Sequence, residues 1–132
     1  MEHKKNFLLA ILWTLGITIA CLVSIGDVPK VSIIGQDKSV HSFFYFVFSI
    51  LWFLFLTKEM PEWSFARKAI LVVLSALVYG AVIEVCQEQF TASRKADLFD
   101  ILANVTGSVI AIIVLFVAEK IRKRNTIKNT IK

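Results

Sequence analysis

The chain has 132 residues, of which 57% are hydrophobic, 12% aromatic and 19% charged, with a formal net charge of +5. A soluble domain carries roughly 25% charged residues, so this balance excludes an ordinary water-soluble domain, and the apolar excess excludes intrinsic disorder. The length allows one domain.

Four windows, at 7–25, 39–57, 69–87 and 101–118, contain a single charged side chain, Glu84, although the chain has 15 basic and 10 acidic residues. An apolar run of about 20 residues matches the roughly 30 Å hydrocarbon core of a bilayer. Unpaired backbone amides are too costly there for anything but helices or closed barrels. Barrel strands would alternate polar and apolar residues, and these runs do not. The prediction is an all-α bundle of four transmembrane helices.

The first window follows Lys4 and Lys5, and Ile19-Ala20-Cys21 faintly resembles a lipoprotein cleavage box. Its apolar run is longer than a signal peptide's, and Thr18 stands where a Leu-like residue belongs, so a retained helix is expected. Cys21 and Cys86, in different helices, read as small apolar fillers. Gly26, Pro29 and Gly35 break the first connection, Pro61 the second, and residues 88–99 form the third. Connections this short imply antiparallel, up-and-down packing. Ala76 and Gly80 on the third helix, and Ala103, Gly107 and Ala111 on the fourth, form small faces that let backbones approach.

Orientation follows from the basic residues. Lys4, Lys5, Lys58, Arg67, Lys68, Lys120, Arg122, Lys123, Arg124, Lys128 and Lys132 fall on one side, and Lys30, Lys38, Arg94 and Lys95 on the other. The positive-inside rule therefore predicts that both termini are cytoplasmic. The basic tail at 120–132 directly follows a helix and is expected to meet anionic lipid head groups rather than nucleic acid.

Polar residues stand out by spacing near the other end. Asp37, His41 and Tyr45 recur every four residues, with Lys38 beside them; Glu84, Gln87 and Glu88 follow the same rule, as do Asp97, Asp100, Asn104 and Gly107. All three stripes fall at the extracytoplasmic end, where they are expected to line an outward-opening polar cavity. A carboxylate such as Glu84 inside an apolar helix costs at least about 2.5 kcal/mol at the bilayer centre, and it is tolerated where it faces a partner or water. Its expected partners are Arg94, Lys38 and His41. Structural roles are also open. Asp37 and Asp97 read as helix N-caps and Asp100 as a first-turn acid. Tyr45, Trp13, Trp52 and Trp63 read as interfacial aromatics, and His41 and Gln87 as interhelical hydrogen-bonding groups. Glu84 with Arg94 reads as a bridge that fixes register.

This set resembles the VanZ-like membrane proteins associated with teicoplanin-type glycopeptide resistance. The match is Asp37-Lys38-x-x-His41-x-x-x-Tyr45, then Glu84-x-x-Gln87, Arg94, Asp97-x-x-Asp100, Asn104 and Gly107. It covers a little over half of the chain. Departures are Ser42 where the family has Phe, Ala92-Ser93 where it has Pro-Gly, and Ala111 where it has a second Gly. The resemblance implies a bacterial plasma-membrane protein of the cell envelope that lowers susceptibility to lipophilic glycopeptide antibiotics. The residues leave two chemistries open. One is binding of an amphiphile, such as the drug or a lipid-linked cell-wall intermediate, with Lys38 and Arg94 engaging its phosphate or carboxylate. The other is an intramembrane enzyme in which His41, Glu84, Asp97 and Asp100 hold a divalent metal or act as general acid and base, although no HExxH or GxSxG sequence is present. A transporter would need an oligomer, because the chain shows no inverted repeat.

Overall fold

The computed structural model describes residues 2–22, 36–90 and 96–130. It consists of four helices: α1 (Glu2–Leu22), α2 (Gln36–Glu59), α3 (Phe65–Phe90) and α4 (Leu98–Thr130). All four are long and apolar enough to cross a membrane. There is no strand among the described residues.

Each predicted window lies within a helix that runs past it, except at the end of the first. There the described helix stops at Leu22, and residues 23–35, with Gly26, Pro29 and Gly35, lie outside the described residues. The largest difference is α4. At 1.5 Å per residue its 33 residues reach about 50 Å, well beyond a hydrocarbon core. Hydropathy ends at Ala118, but nothing in the following Lys, Arg, Glu and Asn residues terminates a helix. The extension from Ile121 to Asn129 is exposed.

Local chemistry sets the other ends. Pro61 opens the short α2–α3 corner, and Ser64 caps α3 by accepting the Arg67 amide at 3.2 Å through its hydroxyl. Asp97 caps α4, its Oδ1 accepting the Phe99 amide at 2.8 Å.

The helices form a rhombus. α2 and α3 touch each other, and both touch α1. Both also touch α4, whereas α1 and α4 do not meet among the described residues. The interface of α2 with α4 is the most extensive. It depends on Gly107, where an added Cβ would lie 2.8 Å from the carbonyl carbon of Ser42 and nearer still to its oxygen. Here the predicted small face does what its spacing implied, and the buried Ala111 extends it by one turn.

Burial is inverted relative to a soluble protein. Leu8, Leu12, Ile19, Ile70, Val78 and Ile113 point outward, while His41, Ser49, Glu84, Gln87, Asp100, Asn104 and Ser108 point inward. The apolar core beneath them is built on Ile17, Tyr45, Phe48, Ala76 and Ile83, and a second cluster of Phe53, Ala69 and Val72 lies toward the α2–α3 corner.

Two tryptophans depart from the interfacial role expected of them. The Trp13 indole donates to the Phe44 carbonyl at 3.0 Å, and that of Trp52 to the Thr14 hydroxyl at 3.2 Å, so both tie α1 to α2. Trp63 sits at the corner, 4.0 Å beneath the Arg67 guanidinium.

Candidate functional site

The starts of α2 and α4 and the end of α3 meet at one end of the bundle, as antiparallel packing requires. Helical spacing then turns three polar stripes toward each other. From α2, the Lys38 ammonium donates to Asp97 Oδ2 at 2.8 Å and to Asp100 Oδ1 at 3.0 Å. One turn deeper, His41 Nδ1 lies 3.2 Å from Asn104 Oδ1 and 4.0 Å from Glu84 Oε1. From α3, Glu84 Oε2 accepts the Asp97 backbone amide at 3.1 Å, and Gln87 donates to the Cys21 carbonyl at 3.0 Å, bringing α1 into the network.

Of the ten residues expected in the site from spacing and from the resemblance, eight are thus placed, and they come together. Lys38, His41, Glu84, Asp97, Asp100 and Asn104 share the contacts above, Gln87 lies one turn from Glu84, and Tyr45 packs below His41. Asp37 falls in the first turn of α2, but its side chain lies outside the described residues, as does the whole of Arg94, so the expected Glu84–Arg94 pair falls there too. Glu88, on the same stripe as Glu84, is exposed and stands apart from the cluster.

The placed residues differ sharply in exposure. His41, Tyr45, Glu84, Gln87, Asp100 and Asn104 are all buried, and only Lys38 and Asp97 are substantially exposed, with side chains 44% and 42% accessible. Three helices bring their polar stripes close enough to bond, so the groups face one another and form a closed network with a Lys38–Asp97 rim. Tyr45, which also reads as an interfacial aromatic, is fully buried. It fits because Gly80 opposite has no side chain; a Cβ there would lie 3.4 Å from the Tyr45 hydroxyl and 2.8 Å from Asn104 Nδ2. Neither of those two polar atoms has a hydrogen-bond partner among the described residues.

The electrostatics at the rim follow from the contacts. The hydrogen bond from Lys38, and after it the amide of Phe99, hold the Asp97 carboxyl below its usual value. Both Asp97 oxygens are thereby committed, one to Lys38 and one to capping α4. Asp97 is not in the inner acidic cluster, in contrast to its expected place among the acid and metal-binding residues. His41, Glu84 and Asp100 can each offer one ligand atom, and these atoms all lie within 4.8 Å of one another. That set, buried and drawn from three helices, suits a divalent cation or a proton exchanged between imidazole and carboxylate. Lys38 is hydrogen-bonded to the same Asp100 carboxylate.

Several polar residues escaped the sequence reading. Ser49 and Ser108 continue the α2 and α4 stripes inward by four residues from Tyr45 and Asn104, and the Ser108 hydroxyl donates to the Asn104 carbonyl at 3.1 Å. That spacing was the available signal. Tyr79 joins α3 to α1, donating to the Thr14 carbonyl at 2.8 Å and lying 2.8 Å from the Thr18 hydroxyl.

Fold and site together define an all-α, multi-pass membrane bundle with a buried ionisable network at one end. Comparison with protein-family models, curated proteins and solved structures returns no match for this chain.

Proposed function

We propose that this chain is a VanZ-like protein of the bacterial plasma membrane, with both termini cytoplasmic, that lowers susceptibility to lipophilic glycopeptide antibiotics of the teicoplanin type. In this reading the charged end faces the extracytoplasmic leaflet, where the drug and the lipid-linked cell-wall intermediates it targets both lie. The observation that carries the reading is convergence. Lys38, His41, Glu84, Asp97, Asp100 and Asn104, chosen by a resemblance scattered over 67 positions, fall within one cluster of hydrogen bonds joined by the 4.0 Å approach of His41 to Glu84. The Lys38–Asp97 pair is the accessible part. An incoming phosphate or carboxylate exchanges with Asp97 for the Lys38 ammonium, and the buried network behind it holds Lys38 and α4 in register.

The test uses a susceptible Gram-positive host carrying the full chain, Lys38→Gln or Glu84→Gln at matched membrane abundance. Teicoplanin susceptibility and cell-bound fluorescent drug are measured. The native chain is expected to lower susceptibility, and each variant to restore it. Unchanged resistance in both variants removes the network from the mechanism.

The 4.8 Å grouping of His41, Glu84 and Asp100 favours a second reading, an intramembrane enzyme acting on lipid-linked precursors by metal or acid–base chemistry. Elemental analysis of the purified protein and precursor turnover with and without chelator test it; absence of both metal and turnover rejects it.

A further inference from the structure

The opposite end of the bundle holds a feature that the network does not use. A cavity of about 680 Å³ opens between α2, the α2–α3 corner and α4. Among its lining residues is Lys68, in the first turn of α3, which is only 6% exposed. The stem is covered along its length, while the ammonium is not among the enclosed polar atoms and so faces the cavity. No carboxylate or other side-chain partner reaches the Lys68 ammonium among the described residues; its backbone amide alone is bonded, to Ser64.

Its position adds to the demand. The start of a helix carries partial positive charge and favours acids, yet the first turn of α3 contains no acidic residue and instead carries Arg67 and Lys68. Across the cavity α4 supplies Arg122 and Lys123 against one acid, Glu119, which is bonded to Lys123 at 2.5 Å. Arg122 has no ion pair among the described residues. The pocket therefore has a surplus of positive charge, one of its cations being seated deep in the cleft. Apart from the hydroxyls of Thr57 and Ser64 the remaining wall is apolar: Phe53 and Phe65 line it, and Leu54, 42% exposed, carries it onto the outer face of α2.

A cation seated deep in the cleft beside an apolar, outward-running surface is complementary to a phosphate attached to an acyl chain. We propose that this cleft binds the phosphate headgroup of an anionic glycerophospholipid. Lys68 is its counter-charge, Arg122 closes over the phosphate from α4, and the first acyl segment lies along Leu54. The cleft is at the end that carries most of the chain's basic residues, and basic pockets between helices on that side suit lipid headgroups. The proposal needs only the membrane bundle and is independent of the resistance reading.

The experiment uses the full chain purified in a neutral detergent. Retained lipid is counted by native mass spectrometry after exposure to phosphatidylglycerol, to phosphatidylcholine, or to inorganic phosphate followed by phosphatidylglycerol. The native protein is expected to prefer phosphatidylglycerol by about tenfold, the scale of one charge-assisted contact. Lys68→Met, which keeps the length of the side chain without its charge, abolishes the preference, and Lys68→Arg retains it. Arg122→Gln, at an exposed position that does not endanger folding, reduces it. Lys128→Gln, one of the exposed basic residues away from the cleft, leaves it unchanged. Equal retention of the two lipids, or a preference that survives both Lys68→Met and Arg122→Gln, overturns the proposal. Complete block of phosphatidylglycerol retention by prior millimolar inorganic phosphate assigns the cleft to soluble phosphate and overturns its lipid assignment.

Discussion

Replacing Gly107 with alanine places a methyl group against the backbone of Ser42, at 2.8 Å from the carbonyl carbon and 3.0 Å from Cα. Carbon atoms pack best at about 3.5–4.0 Å, so α2 and α4 would have to separate by roughly 0.7 Å or more at their widest interface. Because the opposing atoms are main chain, no rotamer change relieves the contact. Overpacking costs about 1–3 kcal/mol, and the upper end applies here. Alanine's better helix propensity returns about 1 kcal/mol, leaving a net loss of about 2 kcal/mol. Gly16→Ala is the matched control, since its Cβ would meet nothing within 4 Å and only the propensity gain remains. The two variants should differ by about 3 kcal/mol, or about 10 °C in unfolding midpoint for a chain of this size. Thermal unfolding in detergent, followed by tryptophan fluorescence, reads the difference because Trp13 and Trp52 bridge helices. If Gly107→Ala and Gly16→Ala unfold within about 2 °C of each other, the close α2–α4 contact is not the determinant inferred above.

Two further expectations concern the site. Because Lys38 and the Phe99 amide lower the Asp97 pKa, its ionised form stabilises the fold above the unfolded value near about 4, and that contribution is lost as pH falls through the lower folded value. Lys38→Met removes the larger cause, so the Asp97 titration followed by carboxyl NMR should move up toward about 4, and the acid-dependent loss of stability should become smaller and be complete at a higher pH; an unmoved titration would show that Lys38 does not hold Asp97. Gln87→Leu leaves the Cys21 carbonyl without its buried donor and should cost about 1–3 kcal/mol in the same unfolding assay, whereas Glu88→Ala, one position along on the exposed side, should stay within about 0.5 kcal/mol.

The helices were legible because hydropathy alone determines where a chain can lie in a bilayer, and the lone Glu84 marked the site because a charge there is conspicuous. Spacing also placed His41, Glu84, Asp100 and Asn104 on facing stripes. Their enclosure was not legible. Whether facing stripes line a mouth or close on one another depends on interhelical distance, which at α2–α4 is set by Gly107 meeting an ordinary backbone carbonyl at Ser42. Tyr45 was ambiguous for a related reason: a tyrosine in the third turn of a helix suits the interface unless a glycine elsewhere makes room for it inside. The length of α4 was missed because hydropathy stops at the membrane edge while helix propensity does not.

The separation of α1 from α4 bears on how the chain enters a bilayer. The hydroxyls of α1 are satisfied from within, Thr14 donating to the Ala10 carbonyl at 2.7 Å and Thr18 to that of Thr14 at 3.1 Å. Such a helix can wait in lipid with neither threonine hydroxyl stranded while the rest of the chain is synthesised. α3 is different, because the amide donor for Glu84 belongs to Asp97, at the threshold of the next span. The last two helices therefore gain from insertion as a hairpin, with the residue that caps the fourth already neutralising the cost of the third.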